Sequence, residues 1–197
     1  MTTDHPLVAR LAGRRLVLAS GSPRRRELLG LLGVAFDVVT PDVDETPFDG
    51  ESALGMVERL AADKARAVVS RESEASVIVA ADTTVDVDGE ILGKPVDDVD
   101  AVRMLRTLAG RTHQVHSAVA VISGESLLAA TTTSGVTFAP MSDADIDWYV
   151  RTGEPLDKAG AYGMQGIGGV FVESVRGSVT GVLGLPMDVV IRLLSTT

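Results

Sequence analysis

Apolar residues follow two rhythms along this chain. Short unbroken runs at residues 16–19 and 77–81 have the pattern of fully buried strands, and residues 113–121 alternate as a half-buried strand does. Between them, apolar residues recur at helical spacing. Val57, Leu60, Ala61, Ala65 and Val68 predict one long amphipathic helix over residues 52–70. Shorter helices are predicted over residues 98–109, which Gly110 stops, over 143–151 behind a Ser142 cap, and from Pro186 to about residue 194. Residues 35–39, 127–138 and 170–175 complete the predicted strands. Asp88-Gly89 predicts a type I′ turn closing a hairpin over residues 85–92. Residues 1–13 carry no strong pattern and read as a lead-in to a single domain over 14–197.

The first strand ends in Ser20-Gly21-Ser22-Pro23, where Ser22 is a good N-cap and Pro23 suits the first helical position. Arg24, Arg25 and Arg26 then fill the first helical turn. The helix dipole is positive there, so each cation is unfavourable by about 0.3–1 kcal/mol. Either the three splay into solvent, or a polyanion sits at that helix end. Lys64 poses a similar choice, because it lies along the apolar stripe of its helix. Its stem can snorkel at the edge of the stripe, or its ammonium can point inward at an anion.

Composition narrows the partner. The chain has 197 residues and a formal net charge of −9, which argues against a nucleic-acid backbone, and aromatics at 4% leave little surface for stacking bases. A basic cluster in such a chain suits a small anion. There is no cysteine, so disulfide and thiol chemistry are excluded. The chain lacks a secretory h-region and any apolar run long enough for a bilayer, and a soluble, cytoplasmic protein is expected.

Cations Arg24, Arg25, Lys64, Lys94 and Lys158 stand at element edges, as do the carboxylates Glu45 and Asp82. Asp82 is expected at the carboxyl end of the 77–81 strand, where open α/β sheets bind ligands. Isolated carboxylates among basic residues suit phosphoryl chemistry with a divalent metal, Mg²⁺ or Mn²⁺. Other chemistries fit less well. His113 and His116, three apart on a strand, point to opposite faces and read as satisfied structural histidines. There is no phosphate-binding P-loop and no Gly-x-Ser-x-Gly elbow. The glycine-rich stretch over residues 163–169 does not follow a strand and open a helix, as a dinucleotide loop would. Its glycines instead let backbone approach a ligand closely.

Five separated motifs resemble the Maf family of nucleoside triphosphate pyrophosphatases. They are Leu-Ala-Ser-Gly-Ser-Pro-Arg-Arg (18–25), Asp-Val-Asp-Glu (42–45), Ala-Asp-Thr (81–83), Leu-Gly-Lys-Pro (92–95) and Asp-Lys-Ala-Gly-Ala-Tyr-Gly-Met-Gln-Gly (157–166). The resemblance implies an α/β fold with a long mixed sheet flanked by helices, related to the inosine triphosphatase group, with two lobes around a central cleft. It also implies metal-dependent cleavage between the α- and β-phosphates. Asp82 falls on the family's proton acceptor, and Ser20, Arg24, Glu45, Lys64 and Lys94 fall on its phosphate and metal pocket. Glu45 is the second candidate for metal or base, and its role and that of Asp82 are interchangeable at this level. Arg25, Thr83 and Gln165 fall on positions tied to base choice and match the branch acting on dTTP and UTP, modified pyrimidine nucleotides included. A homodimer is a further expectation. Two alternatives stay open: a nucleotide-binding regulator of septum formation and cell division without turnover, and a nucleotidyltransferase.

Two departures from the family pattern stand out. The family has an Asp-Tyr pair and an Asn before Val-Val-Gly-Leu-Pro, where this chain has residues 177–186, Gly-Ser-Val-Thr-Gly-Val-Leu-Gly-Leu-Pro. Ser117 stands where Thr is common. Both are expected to lie away from the metal and the base, the first bearing on a dimer contact or on closure over substrate.

Overall fold

The computed structural model describes residues 5–11, 13–69, 72 and 76–197. A short helix α1 (Leu7–Arg10) precedes β1 (Leu16–Ala19) and α2 (Pro23–Gly30). Then come β2 (Asp37–Val39), α3 (Ala53–Val69), β3 (Val77–Val87) and β4 (Glu90–Leu92). The chain continues through α4 (Asp98–Leu108), β5 (Thr112–Ser123), β6 (Ser126–Phe138) and α5 (Asp143–Val150). Three 3₁₀ turns (Glu154–Asp157, Ala159–Ala161 and Ile167–Phe171) lead to β7 (Val172–Arg176), α6 (Val179–Val182) and α7 (Met187–Leu194).

The strands form one seven-stranded mixed sheet in the order β2-β1-β3-β5-β6-β7, with β4 also on β3. β2, β1 and β3 run parallel, and the remaining pairs are antiparallel. The long mixed sheet expected from the resemblance is present. The hairpin turn is also as expected, with positive φ at Asp88 (54°) and Gly89 (87°).

One expectation fails in a useful way. Asp82 does not follow a strand that ends at Ala81, because β3 runs unbroken to Val87. β1 pairs only with Val77–Ala80, and β4 pairs only with Val85–Val87. Among the described residues, residues 81–84 therefore have no strand neighbour on that edge, although β5 pairs with them on the other. Apolar runs mark buried strands. They cannot show that a polar residue stays in the ladder when only one edge is vacated.

Packing follows from the alternation of β3. Ile78 and Ala80 face α3, together with Ala118 and Ala120 of β5. Ala61 and Ala65 of α3 keep that contact close. On the opposite face, Val77, Val79 and Ala81 join a core with Leu28, Leu29, Val189, Val190 and Leu193. Further along that face, Val85 and Val87 join a second core with Leu105, Tyr149 and Phe171. Thr83 lies between the two. Leu7 and Leu11 are buried in the first core, so the lead-in contributes packing that its weak pattern hid.

Candidate active site

The gap beside residues 81–84 opens into a cleft of about 890 Å³. Ser20, Arg24, Arg25, Glu45, Lys64, Asp82, Thr83, Lys94 and Gln165, every site residue predicted from sequence, line this one cleft. The strand gap explains how Asp82 and Thr83, which point to opposite faces of β3, both reach it. Five lining cations (Arg24, Arg25, Lys64, Lys94 and Lys158) face four lining carboxylates (Glu27, Glu45, Asp82 and Asp157). In a chain of formal charge −9, that is a local reversal.

Lys64 resolves the choice posed by its helix. Its side chain is buried, and its ammonium stands 2.6 Å from Asp82 Oδ1 and 2.7 Å from Glu45 Oε1. It points inward, to the place where the two carboxylates converge. Burial is the largest influence on Asp82 and holds its carboxyl above the ordinary value of 3.8, against the pull of Lys64 and Arg25. Burial also pushes the Glu45 carboxyl up. There the Lys64 hydrogen bond and the charges of Lys64, Lys94 and Arg25 outweigh it, and the net shift is downward.

The arginine run divides three ways. Arg24 lines the cleft and forms no ion pair among the described residues. Arg25 donates from Nε to Gly184 O at 2.8 Å and, more weakly, from Nη1 to Ser20 Oγ at 3.4 Å. Burial lowers its guanidinium, and the charges of Asp82 and Glu45 work against that. Arg26 is exposed and does not line the cleft, so two of the three arginines face it. Ser22 caps the helix as expected, its Oγ accepting from Arg25 N. Lys94 is exposed at the rim and is, like Arg24, without an ion-pair partner among the described residues.

Both departures from the family pattern turn out to touch the site. Ser117 is fully buried and donates to Gly181 O at 2.7 Å. Its one proton is spent there, so Thr83 donates to Ser117 across 2.7 Å. Gly184 O accepts from Arg25 and stands 3.3 Å from the Thr83 hydroxyl, as that hydroxyl's alternative acceptor. Residues 177–186 thus reach the cleft and contact two predicted base-choice residues, Arg25 directly and Thr83 directly and through Ser117. The sequence hid this because the contacts run through backbone carbonyls.

Other supports also escaped notice. The loop carrying Glu45 is held by Arg59, which pairs with Glu51 through two 2.7 Å bonds, donates to Thr46 O and stacks on Phe48. A Glu–Arg pair eight residues apart gives no periodic signal. His113 is not satisfied as expected: Nε2 bonds Tyr162 Oη at 2.8 Å, but the buried Nδ1 has no partner among the described residues. Among the described residues, no group of three or more His, Cys, Asp or Glu side chains could hold a metal by itself.

Residues 15–197 match the family described as Maf-like protein. A dTTP/UTP pyrophosphatase of Anaeromyxobacter dehalogenans is 54% identical over 184 residues, covering 91% of this chain and 92% of that protein. One from Chromobacterium violaceum is 51% identical over 185 residues, covering 92% and 93%. Among solved structures, the Staphylococcus aureus Ham1 protein aligns with a TM-score of 0.47 at 17% identity, covering 64% of this chain and 72% of that one.

Proposed function

The chain belongs to the Maf-like protein family, and on that premise we propose that it hydrolyses dTTP and UTP to the nucleoside monophosphate and pyrophosphate. The observation that carries this reading is the convergence, in one strand gap, of unpaired cations with a carboxylate pair centred on Lys64. Arg24 and Lys94 are free to take phosphate oxygens, and Lys64 lies within reach of the same anion. A simple anion binder would gain nothing from two carboxylates there.

Asp82 is the proton acceptor. A carboxyl held above its ordinary value by burial is a better base than an exposed aspartate, and it would take the proton of the attacking water. The bond from phosphorus to the bridging oxygen breaks, and pyrophosphate departs with its charge balanced by Arg24, Lys64 and Lys94. Glu45 and Asp82 would hold a divalent metal, because they already bring two hard oxygens to one cation. Two carboxylates completed by water and phosphate suit Mg²⁺, and Mn²⁺ accepts the same donors. When bound, the metal supplies charge neutralisation at the phosphates. Arg25, Thr83 and Gln165 choose the base. Acting on free nucleotides, the enzyme would work in the cytoplasm; no helix among the described residues is long and apolar enough to cross a membrane.

The test is a panel of nucleoside triphosphates with separate detection of pyrophosphate, free phosphate and transferred nucleotidyl groups, run with added metal and again after chelation. Pyrophosphate release with dTTP and UTP, abolished by chelation, is expected. Binding without release would favour the regulator, and a transferred nucleotidyl group would favour the transferase.

A further inference from the structure

Gln165 enters the cleft on a glycine-rich loop, is exposed, and has no hydrogen-bond partner among the described residues. What fixes the loop is a pair of side chains outside the cleft lining, Tyr149 and Glu154. Tyr149 is fully buried in the last turn of α5. Glu154 follows Gly153, whose φ of 74° turns the chain out of that helix.

The Glu154 carboxylate accepts three hydrogen bonds. Oε2 takes Ile167 N at 2.8 Å, and Oε1 takes Gly168 N at 3.0 Å and Tyr149 Oη at 2.8 Å. With its proton spent on Glu154, the Tyr149 oxygen accepts from Gly163 N at 3.1 Å. Backbone amides on both sides of Gln165 therefore hang from one two-residue hub. Two loop glycines are explained by the same hub. A Cβ at Gly166 would lie 2.3 Å from Glu154 Oε2, and one at Gly168 would lie 2.4 Å from Tyr149 Oη, whereas one at Gly163 would meet the Lys158 stem first, at 2.8 Å. Gly166 has an ordinary extended φ of −106°, so closeness to the carboxylate, and not backbone conformation, demands glycine there.

We propose that Glu154, with Tyr149, is a positioning residue for nucleobase choice, holding the loop in the one conformation that presents Gln165 to the base. This rests on the reading that Gln165 contacts the base. A carboxylate is required because all three partners are donors. The isosteric amide of glutamine has one acceptor oxygen and turns an N–H toward at least one of them.

The experiment compares Glu154→Gln, Tyr149→Phe, Gln165→Ala and the Glu154→Gln/Gln165→Ala double variant. Amide hydrogen exchange of residues 163–168 is followed without nucleotide, and kcat and KM are measured for UTP and GTP. In Glu154→Gln, exchange should quicken about tenfold, and the UTP-to-GTP preference should fall about five- to tenfold, as losing a charge-assisted hydrogen bond implies. The fall should lie chiefly in KM, since Asp82 and Lys64 are untouched. Tyr149→Phe, the milder change, should move both readouts the same way. Gln165→Ala should lower the preference, and the double variant should lower it no further. Unaltered exchange and preference in both hub variants would overturn the proposal. So would quickened exchange with preference intact while Gln165→Ala lowers it. Preference unmoved by Gln165→Ala would instead overturn base reading by Gln165, a failure separable because exchange is read without substrate.

Discussion

Lys64 Nζ stands 2.6 Å from Asp82 Oδ1, one buried side chain from α3 meeting another from the middle of β3. Two isolated charges would be costly at that depth, and their mutual attraction offsets much of the cost. Glu45 adds a second carboxylate on the solvent side at 2.7 Å. The ammonium thus lies where the carboxylate oxygens converge, and any metal on Glu45 and Asp82 must compete with it.

That competition is measurable without turnover. Lys64→Met removes a positive charge from beside both candidate ligands, so Mn²⁺ should bind the nucleotide-free protein more tightly. At an effective dielectric near 20, even a partial release of this repulsion is worth at least about tenfold in affinity. Titration calorimetry or electron paramagnetic resonance of Mn²⁺ checks it. Hydrolysis should fall in the same variant, because a phosphate contact is lost as well. Equal or weaker Mn²⁺ affinity would mean that Lys64 does not share the metal's oxygens.

Asp82→Asn tests the proton acceptor. Pyrophosphate release should drop about 10²–10⁴-fold, the usual worth of a positioned acid–base group. The fold should survive an almost isosteric change at an edge of β3 that lacks a strand neighbour among the described residues. Far-ultraviolet circular dichroism separates lost chemistry from lost structure. Near wild-type release with saturating metal would move the base to Glu45.

How much of this site was legible in sequence depends on where each signal lies. Buried runs and helical spacing marked the strands and α3, because burial on one face imposes a period. The Ser22 cap, the Asp88-Gly89 turn and the inconsistent charge of Arg24 and Arg25 are local, and local physics reads them. Motif resemblance marked the nine cleft residues. What stayed hidden is non-local. The gap beside residues 81–84 depends on where two other strands stop. The supports Arg59, Glu154 and Ser117 act through backbone groups of residues that periodicity does not connect to them.

His113 supplies a pH prediction away from the cleft. Burial pushes its imidazole down to about 4, well below the ordinary 6.5, and protonation would leave a buried Nδ1–H without an acceptor. Between those values the unfolded chain binds a proton that the native protein excludes. Stability should therefore rise with pH across that window and level off above it. One group shifted this far contributes about 3 kcal/mol over the whole window. Urea denaturation at several pH values measures the slope. His113→Gln should flatten it, and an equally steep slope in that variant would assign the dependence elsewhere.

Ser117 carries the remaining prediction, because its hydroxyl joins Thr83 on β3 to α6. It donates to Gly181 O at 2.7 Å and accepts from Thr83 at 2.7 Å. Ser117→Ala removes one of two donors to Gly181 O, which keeps Gly184 N at 2.9 Å, a loss of about 0.5–1.5 kcal/mol. Thr83 keeps only the longer contact to Gly184 O at 3.3 Å, the carbonyl that also anchors Arg25. The melting temperature should therefore fall, and kcat/KM for dTTP and UTP should fall about three- to tenfold as Thr83 loses its short bond to Ser117 and turns toward the carbonyl that holds Arg25. Ser117→Thr is the informative companion. It keeps the hydroxyl but adds a methyl at a fully buried position, so activity should stay closer to wild type even if packing costs some stability. Alanine and threonine variants with equal kcat/KM would show that the hydroxyl bridge does not reach the base-choice residues. A loss confined to alanine would tie residues 177–186 to substrate selection through that one oxygen.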